Sequence, residues 1–129
     1  MAFTINYGDG YEFEVDYFSK VIMFQRIMDM EVNKNTKSLM LLILRKTLCF
    51  DKVDDRLSMY HLQQKLEISP ATLRKAIQIG EDENLIRVKR SKGGDMQSNT
   101  KYNQFRLSDK LLIELIEYIE DVRDINDFK

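Results

Sequence analysis

Five side chains between Ser69 and Asn84 have the types and spacing to read a polyanion. Ser69, Thr72, Lys75 and Gln78 recur every three residues with Arg74 on the flank, which puts them on one side of a helix. Leu73, Ala76 and Ile77 fall on the opposite side and read as its buried face. Hydroxyls and a primary amide hydrogen-bond base edges, while Lys and Arg reach guanine acceptors or phosphate oxygens. The free N–H groups of a helix N-terminus also favour a phosphate. The bland alternative is a solvated helix face that touches nothing, so the flanking elements must decide.

A second group of cations follows. Arg87, Lys89 and Arg90 precede a glycine-bearing segment, SKGGDMQSNTK, which adds Lys92 and Lys101. A hairpin of this composition would cross a nucleic-acid backbone or enter the minor groove. Asp95 and Met96 contribute nothing to that, and a flexible solvated loop is the competing reading. Other chemistry has little to stand on. His61 is the lone histidine and Cys49 the lone cysteine, so no ligand set for a metal is in view and no cofactor is expected. Cys49 sits in an apolar helical pattern and reads as an inert core thiol. Asp51, Asp54 and Asp55 resemble a calcium loop only in part, since its glycine and terminal glutamate are missing. No phosphate loop or nucleophile elbow occurs, and an enzyme is not expected.

The 129 residues fit one domain, with 43% apolar and 32% charged residues. The apolar run Leu39 to Leu44 is far too short to span a membrane, and the N-terminus lacks the pattern of a secretory signal. These features lead to the expectation of a cytoplasmic protein, in a bacterial host. A net charge of −1 argues mildly against a nucleic-acid partner, but it conceals an asymmetry. Residues 1–33 hold six acids against two bases, and residues 107–129 hold seven against three. Residues 69–106 hold eight bases against four acids, and it is the local field that steers a polyanion.

The elements that would position these side chains follow from periodicity. Phe3-Ile5-Tyr7 and Tyr11-Phe13-Val15-Tyr17 alternate apolar with polar around Gly8-Asp9-Gly10, which predicts a hairpin over 3–17. Ser19 is placed to cap a helix to about Glu31, with Val21, Phe24, Ile27 and Met28 on one face. Asn33 to Thr36 reads as a polar break before a buried helix from about Lys37 to Leu48. Arg56-Leu57-Ser58 fits a very short strand, and Ser58 caps the short helix MYHLQQKLE. Ser69 caps the next helix, with Pro70 at its first position. Asn84 suits a left-handed C-cap. Ile86 to Lys89 and Tyr102 to Leu107 then form two strands. Ser108 caps a final helix to about 123, whose apolar stripe is Leu111, Leu112, Leu115, Ile116, Ile119 and Val122. Two uses of that stripe stay open: packing against the helix at 37–48, or pairing with a second copy in a two-fold homodimer. The N-terminal hairpin is an alternative dimer surface. The expected fold is therefore mainly α with small β: a winged helix-turn-helix over 37–107, with an added N-terminal β-hairpin and a C-terminal helix.

Residues 39–86, LMLLILRKTLCFDKVDDRLSMYHLQQKLEISPATLRKAIQIGEDENLI, resemble the N-terminal domain of phage replication protein O and related mobile-element initiators. The most distinctive part is the link RKT…DKVDDR, and Ser69, Thr72, Lys75, Ala76 and Ile77 stand where that pattern wants them. The resemblance implies binding of double-stranded origin DNA at repeated sites to start replication, with other replication proteins recruited through further segments. It leaves this chain open as the DNA-binding part of a longer initiator. Three positions depart from the pattern. Pro70 stands where an arginine is common, Asn84 replaces a glycine cap, and Gly80 replaces a core leucine and is expected to loosen its helix by about 1 kcal/mol. A winged-helix transcription regulator, and a winged helix used for protein contacts, are the alternatives.

Overall fold

The computed structural model describes residues 3–7, 10–90 and 102–127. An antiparallel hairpin, β1 (Phe3–Tyr7) and β2 (Tyr11–Val15), opens the chain with Phe3 opposite Val15 and Tyr7 opposite Tyr11. Ile5, Phe13 and Val15 are buried, so the hairpin turns its apolar face into the main core.

Helix α1 (Tyr17–Asp29) starts two residues before the expected cap and ends short of Glu31. Asp16 outcompetes Ser19 as the cap. Its carboxylate accepts from the Ser19 amide at 2.8 Å and the Ser19 hydroxyl at 2.7 Å, and Ser19 itself is buried within the first turn. The inward face is correspondingly different: Met23 and Ile27 are fully buried, Val21 and Phe24 are half-buried, and Met28 is 53% exposed. Arg123 also binds Asp16 at 2.8 Å, joining the last helix to this cap. The hydrogen bond from the Ser19 hydroxyl does most to hold the Asp16 carboxyl below its ordinary 3.8; burial pushes the other way, and the Ser19 amide and Arg123 add to the lowering. A depressed carboxyl stabilises the fold above its unfolded-state value and stops doing so as pH falls through the lower folded value. Asp16→Asn should therefore flatten the loss of thermal stability below about pH 4, relative to the parent, and cost about 1 kcal/mol at neutral pH. Parallel acid limbs for the two proteins would contradict this.

Helix α2 (Lys34–Lys46) absorbs the expected polar break, because Asn33 is its cap. The Asn33 carbonyl oxygen accepts from the amides of Asn35 and Thr36 at 3.0 and 3.2 Å. Leu39, Met40, Ile43 and Leu44 are wholly buried. A 3₁₀ turn, Leu48–Phe50, follows, so Cys49 lies beyond the helix and is half-buried rather than in the core. Burial still pushes its thiol up, against a smaller pull from Lys20 and Arg45.

Strand β3 (Asp55–Ser58) leads into α3 (Met59–Leu66), capped by Ser58, whose hydroxyl accepts from the His61 amide. Glu67 turns the chain at φ 55°, and Ser69 caps α4 (Pro70–Asp82) with Pro70 at its start. Asn84 takes the expected left-handed conformation, at φ 55°, and strand β4 (Ile86–Lys89) follows. Strand β5 (Tyr102–Leu107) returns between its neighbours, giving an antiparallel sheet of order β3-β5-β4. Ser108 caps α5 (Asp109–Asp127): its hydroxyl accepts from the Leu111 amide and donates to the Asn84 carbonyl.

From α2 onward the order is helix, strand, helix, helix, strand, strand, with the middle strand of the sheet last in sequence. That arrangement is a winged helix-turn-helix, and the fold class is mixed α+β.

Helix α5 corrects one expectation. Its stripe packs on α1 and β1 rather than chiefly on α2. Leu111, Leu112, Leu115, Ile116 and Ile119 are buried within this chain, and Val122 is half-buried, so most of the stripe is used inside the fold. Among the described residues, no helix is long and apolar enough to cross a membrane.

Candidate nucleic-acid interface

Helix α4 is anchored on one side and open on the other. Leu73, Ala76 and Ile77 are buried as their spacing requires. The Thr36 hydroxyl of α2 donates to the Ala76 carbonyl at 2.9 Å, tying the two helices together inside the core. Gly80 makes the closest approach. A Cβ built there would sit 2.9 Å from Ile86 Cγ1 and 3.4 Å from Thr36 Cγ2, so this glycine lets α4 lie against β4 and α2. The expectation that it merely loosens the helix is incomplete, since its missing side chain is a packing requirement.

Arg74, Lys75 and Gln78 stand on the opposite side, exposed and without a hydrogen-bond or ion-pair partner among the described residues. Ser69 and Thr72 are placed differently. The Ser69 hydroxyl accepts from the Thr72 amide at 3.2 Å and lies 2.9 Å from the Thr72 hydroxyl, so both are partly engaged in building the cap. Thr72 is half-buried. In the first turn Pro70 has no N–H and Thr72 has given up its own, which leaves the amide of Ala71 to meet an anion. The helix terminus is thus a weaker phosphate site than its position suggests.

The flanking cations divide as well. Arg90 forms two hydrogen bonds to Glu81 of α4, at 2.8 and 3.1 Å, and these hold its guanidinium more firmly protonated than usual. Arg87 lies 3.6 Å from Asp109, which also binds Arg106. Lys89 is exposed and has no ion pair among the described residues. Lys92 and Lys101 lie outside the described residues. Exposed pairs of this kind are worth at most about 1 kcal/mol each, so a phosphate can displace the carboxylates.

Three residues escaped the sequence reading: Arg56, Tyr102 and Gln104 share the outward face of the sheet with Lys89. The alternation in YNQFRL was the available signal, because Asn103, Phe105 and Leu107 point inward. Among the described residues no group of three or more His, Cys, Asp or Glu side chains is arranged to hold a metal ion.

No family model matches the chain, and no curated protein matches it. Solved structures similar in shape include the following three. A mutant of S. aureus MepR is 17% identical over 84% of this chain and 70% of that one, with a TM-score of 0.47. The zinc-responsive MarR family member ZitR of Lactococcus lactis is 14% identical over 78% of this chain and 65% of that one, with a TM-score of 0.46. A possible transcriptional regulator from Methanosarcina mazei Go1 is 14% identical over 96% and 88%, also at 0.46. The class assignment, a winged helix-turn-helix, rests on the element order and the sheet register themselves.

Proposed function

We propose that this chain binds duplex DNA as a winged-helix transcription regulator, with α4 in the major groove and the β4–β5 hairpin on the adjoining backbone. The observation that carries the reading is the open face of α4. Arg74, Lys75 and Gln78 project from a helix whose other side is fixed in the core. A rigid helix bearing free cations and an amide is what direct readout of base edges requires. We assign it no chemical step.

The initiator reading is second, and it is favoured by the resemblance over 39–86. Its most distinctive segment, however, has structural work in this fold. The Thr47 hydroxyl donates to the Ile43 carbonyl at 2.6 Å, the Lys52 amide donates to the Thr47 carbonyl at 3.0 Å, and Lys52 pairs with Asp55 at 3.6 Å. That link joins α2 to β3 and needs no replication partner to explain it. Regulation therefore takes precedence over initiation.

Binding measured across a salt series tests the DNA reading, since log K should fall linearly with log salt. Gln78→Ala should lower discrimination between sequences, whereas Lys89→Ala should weaken all duplexes alike. No binding at low salt to duplexes from the replicon that encodes the protein would leave protein contacts as the remaining use of the fold. Footprinting beside the coding locus separates the two DNA roles. A single promoter site supports regulation, and clustered repeats beside an AT-rich tract support initiation.

A further inference from the structure

The outward face of the three-stranded sheet is built differently from a plain solvated surface. Register places Arg56 and Lys89 on either side of Gln104, and Arg87 directly opposite Arg106. Four cations thus share one face, with Asp54 and Asp109 as the acids beside them. Asp109 engages Arg87 and Arg106, while the side chains of Arg56, Gln104 and Lys89 have no partner among the described residues. A shallow trough of about 340 Å³ lies here, lined by Asp54, Arg87, Val88, Lys89, Gln104 and Arg106. Tyr102 stands two residues from Gln104 on the same face and is 58% exposed.

Like charges directly opposite each other across two strands destabilise a sheet, and Asp109 relieves this only at one end. In the row Arg56-Gln104-Lys89 the two cations are kept apart by Gln104, and neither has an ion-pair partner among the described residues. Strands lie about 4.8 Å apart, so the two outer cations are separated by roughly 10 Å at the backbone, within reach of neighbouring phosphates on one strand. An exposed phenol ring offers stacking only to a base that is already out of a duplex.

We infer that the outward face of β3-β5-β4 binds single-stranded nucleic acid, with Arg56 and Lys89 on phosphates, Gln104 between them and Tyr102 stacked on a base. This does not rest on the reading of α4: it shares Lys89 with the duplex reading, and Arg56, Gln104 and Tyr102 carry it.

Fluorescence anisotropy with labelled oligothymidylate and oligouridylate of roughly 12 nucleotides tests it on the full chain. Phosphate and ring contacts ignore the 2′-hydroxyl, so both oligomers should bind, and any preference assigns the source as DNA or RNA. Tyr102→Ala should weaken binding about tenfold, Tyr102→Phe should restore it, and Arg56→Ala should weaken it by a similar factor. Circular dichroism confirms that each variant is folded. Tyr102→Ala should weaken single-strand binding far more than duplex binding, and Gln78→Ala should leave single-strand binding unchanged. Absence of single-strand binding at low salt overturns the inference. So does equal weakening of single strands and duplexes by Arg56→Ala and Tyr102→Ala, which would make this face a track for duplex phosphates.

Discussion

Reversing two charges on α4, Arg74→Glu with Lys75→Glu, should reduce duplex binding by about 100-fold or more at moderate salt. Each lost phosphate contact removes roughly one unit from the slope of log K against log salt, and like charge facing a phosphate adds repulsion. Both side chains are exposed and neither has a partner among the described residues, so nothing in the fold depends on them. Positions 74 and 75 lie past the first turn of α4, where the helix dipole has little hold on a side-chain charge of either sign. The double variant should therefore unfold within about 2 °C of the parent, and lost binding cannot be attributed to lost structure. Electrophoretic mobility shifts on a parent-bound duplex, alongside thermal melts, make the check. Undiminished binding by a folded double variant would remove α4 from the interface and with it the major-groove reading.

Much of α4 and its surroundings was legible because its signals are local. Ser69-Pro70 marks a helix start by capping chemistry and a missing N–H, and both act within one turn. Asn84 declares a left-handed residue, and the alternations around Ile86 and Phe105 declare strands. Where two capping residues stood close together, local signals did not suffice. Asp16 and Ser19 are both good caps; Asp16 accepts from both the amide and the hydroxyl of Ser19, and Arg123, over a hundred residues away, binds both side chains, a contact no local signal shows. Asn33 was read as part of a break because the buried run of α2 begins only at Leu39, although its first turn is polar and capped. Partners set by tertiary structure were invisible. Arg90 looked free until the turn after α4 brought it to Glu81, and Arg87 until β4 met the start of α5. The stripe of α5 was recognisable as apolar, but its partners, α1 and β1, depend on where the N-terminal hairpin folds back. In the candidate site, residue types were readable and their availability was not.

Gly80→Leu is the sharpest test of that distinction, because the resemblance and the geometry disagree about it. The related pattern has leucine at this position, and intrinsic preference alone would make the change stabilising by about 1 kcal/mol. The structure opposes it. A single added carbon already meets Ile86 Cγ1 at 2.9 Å and Cδ1 at 3.0 Å, with Thr36 Cγ2 at 3.4 Å. Ile86 is buried and β-branched, so it has little freedom to turn aside, and Thr36 is held by its hydrogen bond to Ala76. Overpacking of this kind costs about 1–3 kcal/mol even for small insertions, and leucine adds three further carbons. The expected net result is a loss of at least about 3 kcal/mol, seen as a large fall in denaturant midpoint or as an insoluble product. Gly80→Ala should lose less, about 1 kcal/mol, because propensity offsets part of the clash. A Gly80→Leu protein as stable as the parent would mean that α4 sits farther from β4 than these contacts allow, and the orientation of Arg74, Lys75 and Gln78 would shift with it.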